Sequence, residues 1–167
     1  LVSLGLTLLK WLNDNIPPEI FNKLSEPLDG MMLGSEQSLL RILHYPPIKR
    51  DVDPGAIRAA AHEDINLITL LVAGSEPGLQ AQDKEGNWHD ISCDPGMITI
   101  NNGDMLAMAT ENYFPSTPHR VINPSGKNNN SRYSIPMFLH PRPEVMLNDV
   151  LTADGYLLSR LKEIGLK

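Results

Sequence analysis

The sequence predicts a mainly β protein: a double-stranded β-helix (jelly-roll) core with helices before it and a helix after it. Three observations carry this expectation. From Leu39 onward the chain contains seven short β-rich runs, LLRILHY, NLITLLVA, GLQAQ, NWHDI, MITIN, HRVI and RYSIPMFL. Turn-forming segments separate them, among them PPIKRDVDPG, GSEPG, DKEGN, DPG, NNGD and NPSGKNNN, and most of the gaps hold no helical pattern. Helical spacing dominates only at the two ends of the chain. Short strands in close succession form an antiparallel sandwich or barrel, and a jelly roll is the version that manages its exposed edges.

Apolar residues at Leu4, Leu8, Leu9 and Leu12, then at Ile20, Phe21 and Leu24, follow helical spacing that Pro17 and Pro18 interrupt. A two-helix hairpin is therefore expected over residues 1–38. The β runs place the core at 39–143, with DMLAMATENYF adding one helical turn. The tail, 144–167, returns to a helical stripe of Leu157, Leu158, Leu161 and Ile164. The opening LVSLGLTLLKWLND has no initiator Met, no basic leader and no A-x-A cleavage site. It reads as the interior of a longer polypeptide, so 1–38 is expected to be the remnant of a larger N-terminal region.

Composition narrows the function. The formal charge of -6 and pI near 5.3 offer no basic face to neutralise phosphates, which argues against a nucleic-acid partner. No apolar run reaches membrane-spanning length. Cys93 is the lone cysteine, so neither an intrachain disulfide nor a thiolate metal cage is available. A cytoplasmic protein acting on a small molecule fits these constraints.

The chemistry starts at His62-Glu63-Asp64. Side chains alternate along an extended segment, so His62 and Asp64 reach one point while Glu63 faces away. An imidazole and a carboxylate on one ion make part of the two-histidine, one-carboxylate facial triad of non-haem iron(II) sites. A second histidine is needed, and His44, His89, His119 and His140 are available. His119 suits best, because it follows Pro118 and opens the β run HRVI. His89 adjoins a glycine turn, His140 lies past the last core strand, and His44 could face either way. Arg132-Tyr133-Ser134 is a second i, i+2 pair, and a guanidinium fork beside a hydroxyl suits capture of a carboxylate. Tyr45, Ile100 and Phe138 are expected to face the pocket.

The joint pattern H-x-D, N-x-G-D-x-L, H-R-V and R-x-S, carried by HEDINLITLLVAG, GLQAQDKEGNWHDI, NNGDMLAMATENYFPSTPHRV and RYSIPMFLHP, resembles the C-terminal core of the isopenicillin N synthase-like, 2-oxoglutarate-dependent dioxygenase superfamily. The resemblance runs from about Leu39 to Pro143. It implies Fe(II) held by His62, Asp64 and His119, and 2-oxoglutarate held at its distal carboxylate by Arg132 and Ser134, with O2 as the oxidant. In plant members an Asn-Tyr-Tyr-Pro segment precedes the first histidine, and its second tyrosine contacts the cosubstrate. Here the segment reads Leu43-His44-Tyr45-Pro46, so Tyr45 matches and Leu43 replaces the asparagine. The loop between His119 and Arg132 is longer than the pattern expects, with the patch Asn128-Asn129-Asn130 as the insertion.

The resemblance thus implies an oxidoreductase that couples oxidative decarboxylation of 2-oxoglutarate to oxidation of a small organic substrate. Two alternatives stay open on the sequence. Isopenicillin N synthase itself uses the same ligands and R-x-S without 2-oxoglutarate, and a cupin-like protein could keep the fold and metal without turnover.

Overall fold

The computed structural model describes residues 1–48, 53, 55–124 and 129–166. The predicted turns over 46–55 and 123–130 fall partly outside these residues, and Asn128 of the asparagine patch lies outside them. Helix α1 spans Val2–Asp14, with Leu9 fully buried. It is followed by a single turn, α2 (Pro18–Phe21), with Pro18 in the first helical position where a missing N–H costs nothing. Helix α3 spans Leu28–Met32 and buries Leu28, Met31 and Met32. The expected α1–α2 hairpin is corrected here: α2 buries nothing, and the partner of α1 is the short α3.

Among the described residues nine strands form two antiparallel sheets. In chain order they are β1 (Leu39–Leu40), β2 (Leu43–Tyr45), β3 (Ala59–His62), β4 (Ile68–Val72), β5 (Leu79–Gln82), β6 (Trp88–Asp90), β7 (Ile98–Asn102), β8 (His119–Val121) and β9 (Arg132–Leu139). One sheet runs β1-β9-β4-β7, with β2 also on β9, and the other runs β3-β8-β5-β6. The run LLRILHY becomes two strands for a local reason. Arg41 donates to the Pro136 carbonyl, but Pro136 has no N–H to return, so the ladder breaks between Leu40 and Leu43 while its register continues. Strand β3 falls in none of the seven β-rich runs, because AAAH carries little β preference. It forms by pairing with β8, and a register shift between Ala59 and His62 brings His62 opposite His119.

Strand alternation sorts the residues of the first sheet into two faces. On the outer face Ile68 and Leu70 of β4 and Met137 and Leu139 of β9 join Leu9, Leu28 and Met31 in one apolar core. Gly5 lets α1 approach closely, since a Cβ there would lie 2.1 Å from Leu139 Cδ1. On the inner face Thr69, Leu71, Pro136 and Phe138 line a cavity between the sheets. The dry core therefore lies behind the sheet.

Two further helices brace this frame. The segment DMLAMATENYF supplies α4 (Asp104–Ala109), which begins at Gly103. Helix α5 (Ala153–Glu163) is capped by Thr152, whose hydroxyl accepts from the Gly155 amide. The predicted stripe is shifted: Ala153, Tyr156 and Leu157 meet the core, whereas Ile164 lies beyond the helix and is exposed. Among the described residues no helix is long and apolar enough to cross a membrane.

Candidate metal centre

His62 closes β3, His119 opens β8, and Asp64 sits just past β3 in the connection to β4. Pairing of β3 with β8 brings the two imidazoles to a centroid separation of 4.3 Å. Asp64 Oδ1 lies 3.9 Å from His62 Nε2 and 3.7 Å from His119 Nε2. One donor atom from each of the three residues falls within 4.8 Å of the other two. Glu63 is exposed and points away, while Asp64 is only 7% exposed.

Hydrogen bonding fixes which ring nitrogen faces inward. His62 Nδ1 lies 2.8 Å from the Ala60 carbonyl, and His119 Nδ1 lies 2.9 Å from the Thr117 carbonyl. A carbonyl can only accept, so each Nδ1 carries the proton and each Nε2 presents a lone pair to the common point. Both rings are thus held by the carbonyl two residues before them, the arrangement that orients a metal-binding imidazole. The Asp64 backbone is fixed as well, since its carbonyl accepts from the Asp104 amide at 2.7 Å.

Across the cavity stand Arg132, Ser134 and Tyr45. Arg132 and Ser134 share the inner face of β9, and the β2 register sets Tyr45 opposite Arg132 and Leu43 opposite Ser134. Arg132 is 1% exposed. Its Nε donates to the Glu76 carbonyl at 3.0 Å, and the Tyr45 ring centroid lies 5.7 Å from the guanidinium carbon. Among the described residues its buried Nη1 has no partner. Burial draws the guanidinium below its ordinary pKa, with Tyr45 opposing that pull, yet arginine stays charged. A buried, charged donor without an acceptor is costly unless a ligand completes it.

Between the two groups lies a cavity of about 160 Å3 walled by Leu71, Leu79, Val121, Pro136 and Phe138. Tyr45 and Phe138 line it as expected. Ile100 borders it too, but the side chain is 46% exposed and its strand partner Leu70 belongs to the outer-face core. The inward residues of β7 are Thr99 and Asn101. The other histidines lie elsewhere. His44 stacks on Tyr133 outside the sheet, its centroid 4.7 Å away. His89 pairs with Asp83 in the β5–β6 hairpin and holds that carboxyl down to about 2. His140 follows β9 and lines a small crevice with Met105 and Leu157.

Comparison with known proteins identifies the arrangement. The family model of the 2OG-Fe(II) oxygenase superfamily matches residues 36–141. The chain belongs to this superfamily. Its relatives include a 2-oxoglutarate-Fe(II) type oxidoreductase of Aspergillus fumigatus, 38% identical over 106 residues that cover 63% of this chain and 31% of that one. The 2-oxoglutarate-dependent dioxygenase citB of Monascus ruber is 36% identical over 136 residues, covering 72% and 40%. Among solved structures, a candidate oxygenase from Shewanella oneidensis superposes with a TM-score of 0.88 at 54% identity, covering 99% of this chain and 62% of that one. Neurospora crassa T7H in complex with alpha-KG gives 0.71 at 29% identity, covering 80% and 47%. The chain thus spans between 31% and 40% of the length of these two curated relatives.

Superfamily membership accounts for the fold and for the use of Fe(II), 2-oxoglutarate and O2 by such proteins. It does not draw attention to four residues of this chain that touch the site. Thr69 and Asn101 both donate to Asp64 Oδ2, at 2.6 and 2.9 Å, and Asn66 donates to Thr69 Oγ1 at 2.9 Å. Gly74 lies against Arg132, where a Cβ would come within 2.9 Å of Nη2. Asn101 had a sequence signal, as the first residue of N-x-G-D-x-L. Asn66, Thr69 and Gly74 fall within the run HEDINLITLLVAG, but nothing local in that run marks them as neighbours of the site.

Proposed function

We propose that this chain carries the catalytic core of an Fe(II)- and 2-oxoglutarate-dependent dioxygenase. His62 Nε2, Asp64 Oδ1 and His119 Nε2 are the metal ligands, and Arg132, Ser134 and Tyr45 hold the cosubstrate. Residues 39–143 form the core, with 1–38 and 144–167 as its buttresses. The observation that carries the reading is Arg132, whose buried Nη1 has no partner among the described residues, lining one apolar cavity together with three convergent metal donors.

The donor set suits the ion, since two imidazoles and one carboxylate leave several positions open on one side of Fe(II). When bound, the iron supplies the redox chemistry that joins decarboxylation of the oxo-acid to oxidation of a substrate. The chain's own tasks are binding, orientation and exclusion of water. A divalent ion against one carboxylate leaves one net positive charge, which draws an anionic oxo-acid to the metal end. Arg132 offers a fork to the far carboxylate, and Ser134 adds a hydroxyl beside it. The apolar wall keeps these charges poorly solvated, so each counts for more than it would in water. The substrate is a small organic molecule and the setting is cytoplasmic, as the acidic net charge and single cysteine favour.

The test is Fe(II) reconstitution followed by assay of succinate released from 2-oxoglutarate. His62→Ala, Asp64→Ala and His119→Ala should each lose metal binding by titration calorimetry. Arg132→Ala should keep the metal and raise the 2-oxoglutarate requirement roughly 10-fold or more, the scale of a lost charge-assisted contact. Normal metal retention in all three ligand variants would refute the centre. Substrate oxidation without succinate would point to the oxidase that dispenses with 2-oxoglutarate, with Arg132 then anchoring a carboxylate of the substrate.

A further inference from the structure

We infer that Thr69 and Asn101 are positioning residues that make Asp64 a one-oxygen ligand, with Asn66 setting the direction of the Thr69 proton. The inference rests on the metal centre proposed above and concerns residues to which no role has been given. Both hydrogen bonds to the Asp64 carboxylate fall on the same oxygen. Thr69 Oγ1 donates to Oδ2 at 2.6 Å and Asn101 Nδ2 donates to Oδ2 at 2.9 Å. Oδ1 is the atom turned toward the two imidazole nitrogens. Charge-assisted bonds of this kind are strong, and two on one oxygen resist rotation of the carboxylate.

The register of the sheet places both donors. Thr69 of β4 and Asn101 of β7 are direct cross-strand partners on the inner face, so one rung of the sheet supplies both bonds. A threonine hydroxyl has one proton and could spend it elsewhere. Asn66, fully buried, takes up the accepting side of that hydroxyl: its amide nitrogen donates to Thr69 Oγ1 at 2.9 Å and to the Ile68 carbonyl at 3.1 Å. Of the two groups on Oγ1 the Asn66 amide nitrogen can only donate and the carboxylate can only accept, so the hydroxyl proton goes to Asp64. Ligation through both oxygens would require breaking the bonds to Oδ2, and it would occupy a position that the cosubstrate or O2 needs.

The experiment uses Co(II) as the probe, with affinity read by calorimetry and coordination read from the visible absorption bands. Thr69→Val with Asn101→Leu should weaken Co(II) binding roughly 10- to 100-fold, the usual effect of removing the groups that orient a ligand. The same variant should change the band intensities, because the number of ligating oxygens changes. Thr69→Ser, which keeps the hydroxyl, should restore both readouts. Circular dichroism confirms folding; if the double variant does not fold, Asn101→Leu alone is measured, since that residue is only partly buried. Wild-type affinity and an unchanged spectrum in the folded variant overturn the positioning role and leave the centre standing. A wild-type protein that binds no Co(II) overturns the centre itself, and this role with it.

Discussion

A single glycine shows how closely the cosubstrate end is built. A methyl group at position 74 would meet Arg132 Nη2 at 2.9 Å, Cζ at 3.2 Å and the Tyr133 carbonyl at 3.3 Å. Arg132 is buried and tethered through Nε to the Glu76 carbonyl, so it has no room to step back from the added group. Gly74→Ala should therefore push the guanidinium toward the cavity and cost about 1–3 kcal/mol of stability, the range for overpacking. Metal affinity should not change, whereas 2-oxoglutarate affinity should fall roughly 10-fold; equal cosubstrate titrations for variant and parent would show that the site tolerates the shift. The contrast with His62, Asp64, Arg132 and Ser134 is instructive. Those residues were legible because two side chains spaced i, i+2 on an extended chain must share a face whatever the fold. His119 was legible because it opens a strand. Gly74 and Thr69 were not, since a close approach and a cross-strand bond exist only after distant segments pair.

At the scale of elements, the strands with strong β preference appear where their runs lie, and the departures have local causes. Pro136 divides the first run, and β3, three alanines and a histidine, is a strand only because β8 pairs with it. The helices were less legible, because their partners are set by packing: α1 meets α3, and α5 turns Tyr156 inward where the apolar stripe suggested Ile164. Tyr156 donates to Asp104 Oδ2 at 2.6 Å and so ties α5 to the first turn of α4. Burial, and then the neighbouring Asp104 carboxylate, raise the tyrosine pKa above its ordinary value of 10.0. The bond is half-buried, so Tyr156→Phe should lower stability by about 1 kcal/mol in urea unfolding. The loss should vanish when Asp104 is already Ala, which offers the hydroxyl no acceptor. Additive losses in that double-mutant cycle would show that the two side chains do not act as a pair.

At the scale of the molecule, the lead-in, the sheets and the tail meet around His140. Gln37, Met105, Ala153 and Leu157 surround it, and Ser38 accepts its backbone amide. The ring is largely buried, and burial lowers its pKa from 6.5 despite opposing pulls from the Phe138 backbone and then the Asp64 carboxylate. Well above pH 6.5 the ring is neutral in folded and unfolded chains alike and contributes no pH dependence. As pH falls below 6.5 the unfolded chain takes up the proton first, so the fold loses stability until the pH passes the depressed native value. His140→Gln removes this titration. The drop in melting temperature between pH 7.5 and 5.5, measured without metal, should therefore be smaller in the variant than in the parent. Every other histidine is common to the two proteins, so the comparison isolates position 140. Parallel melting curves across that interval would mean that His140 takes up its proton as readily in the folded chain as in the unfolded one, and that the junction of the three parts does not exclude charge.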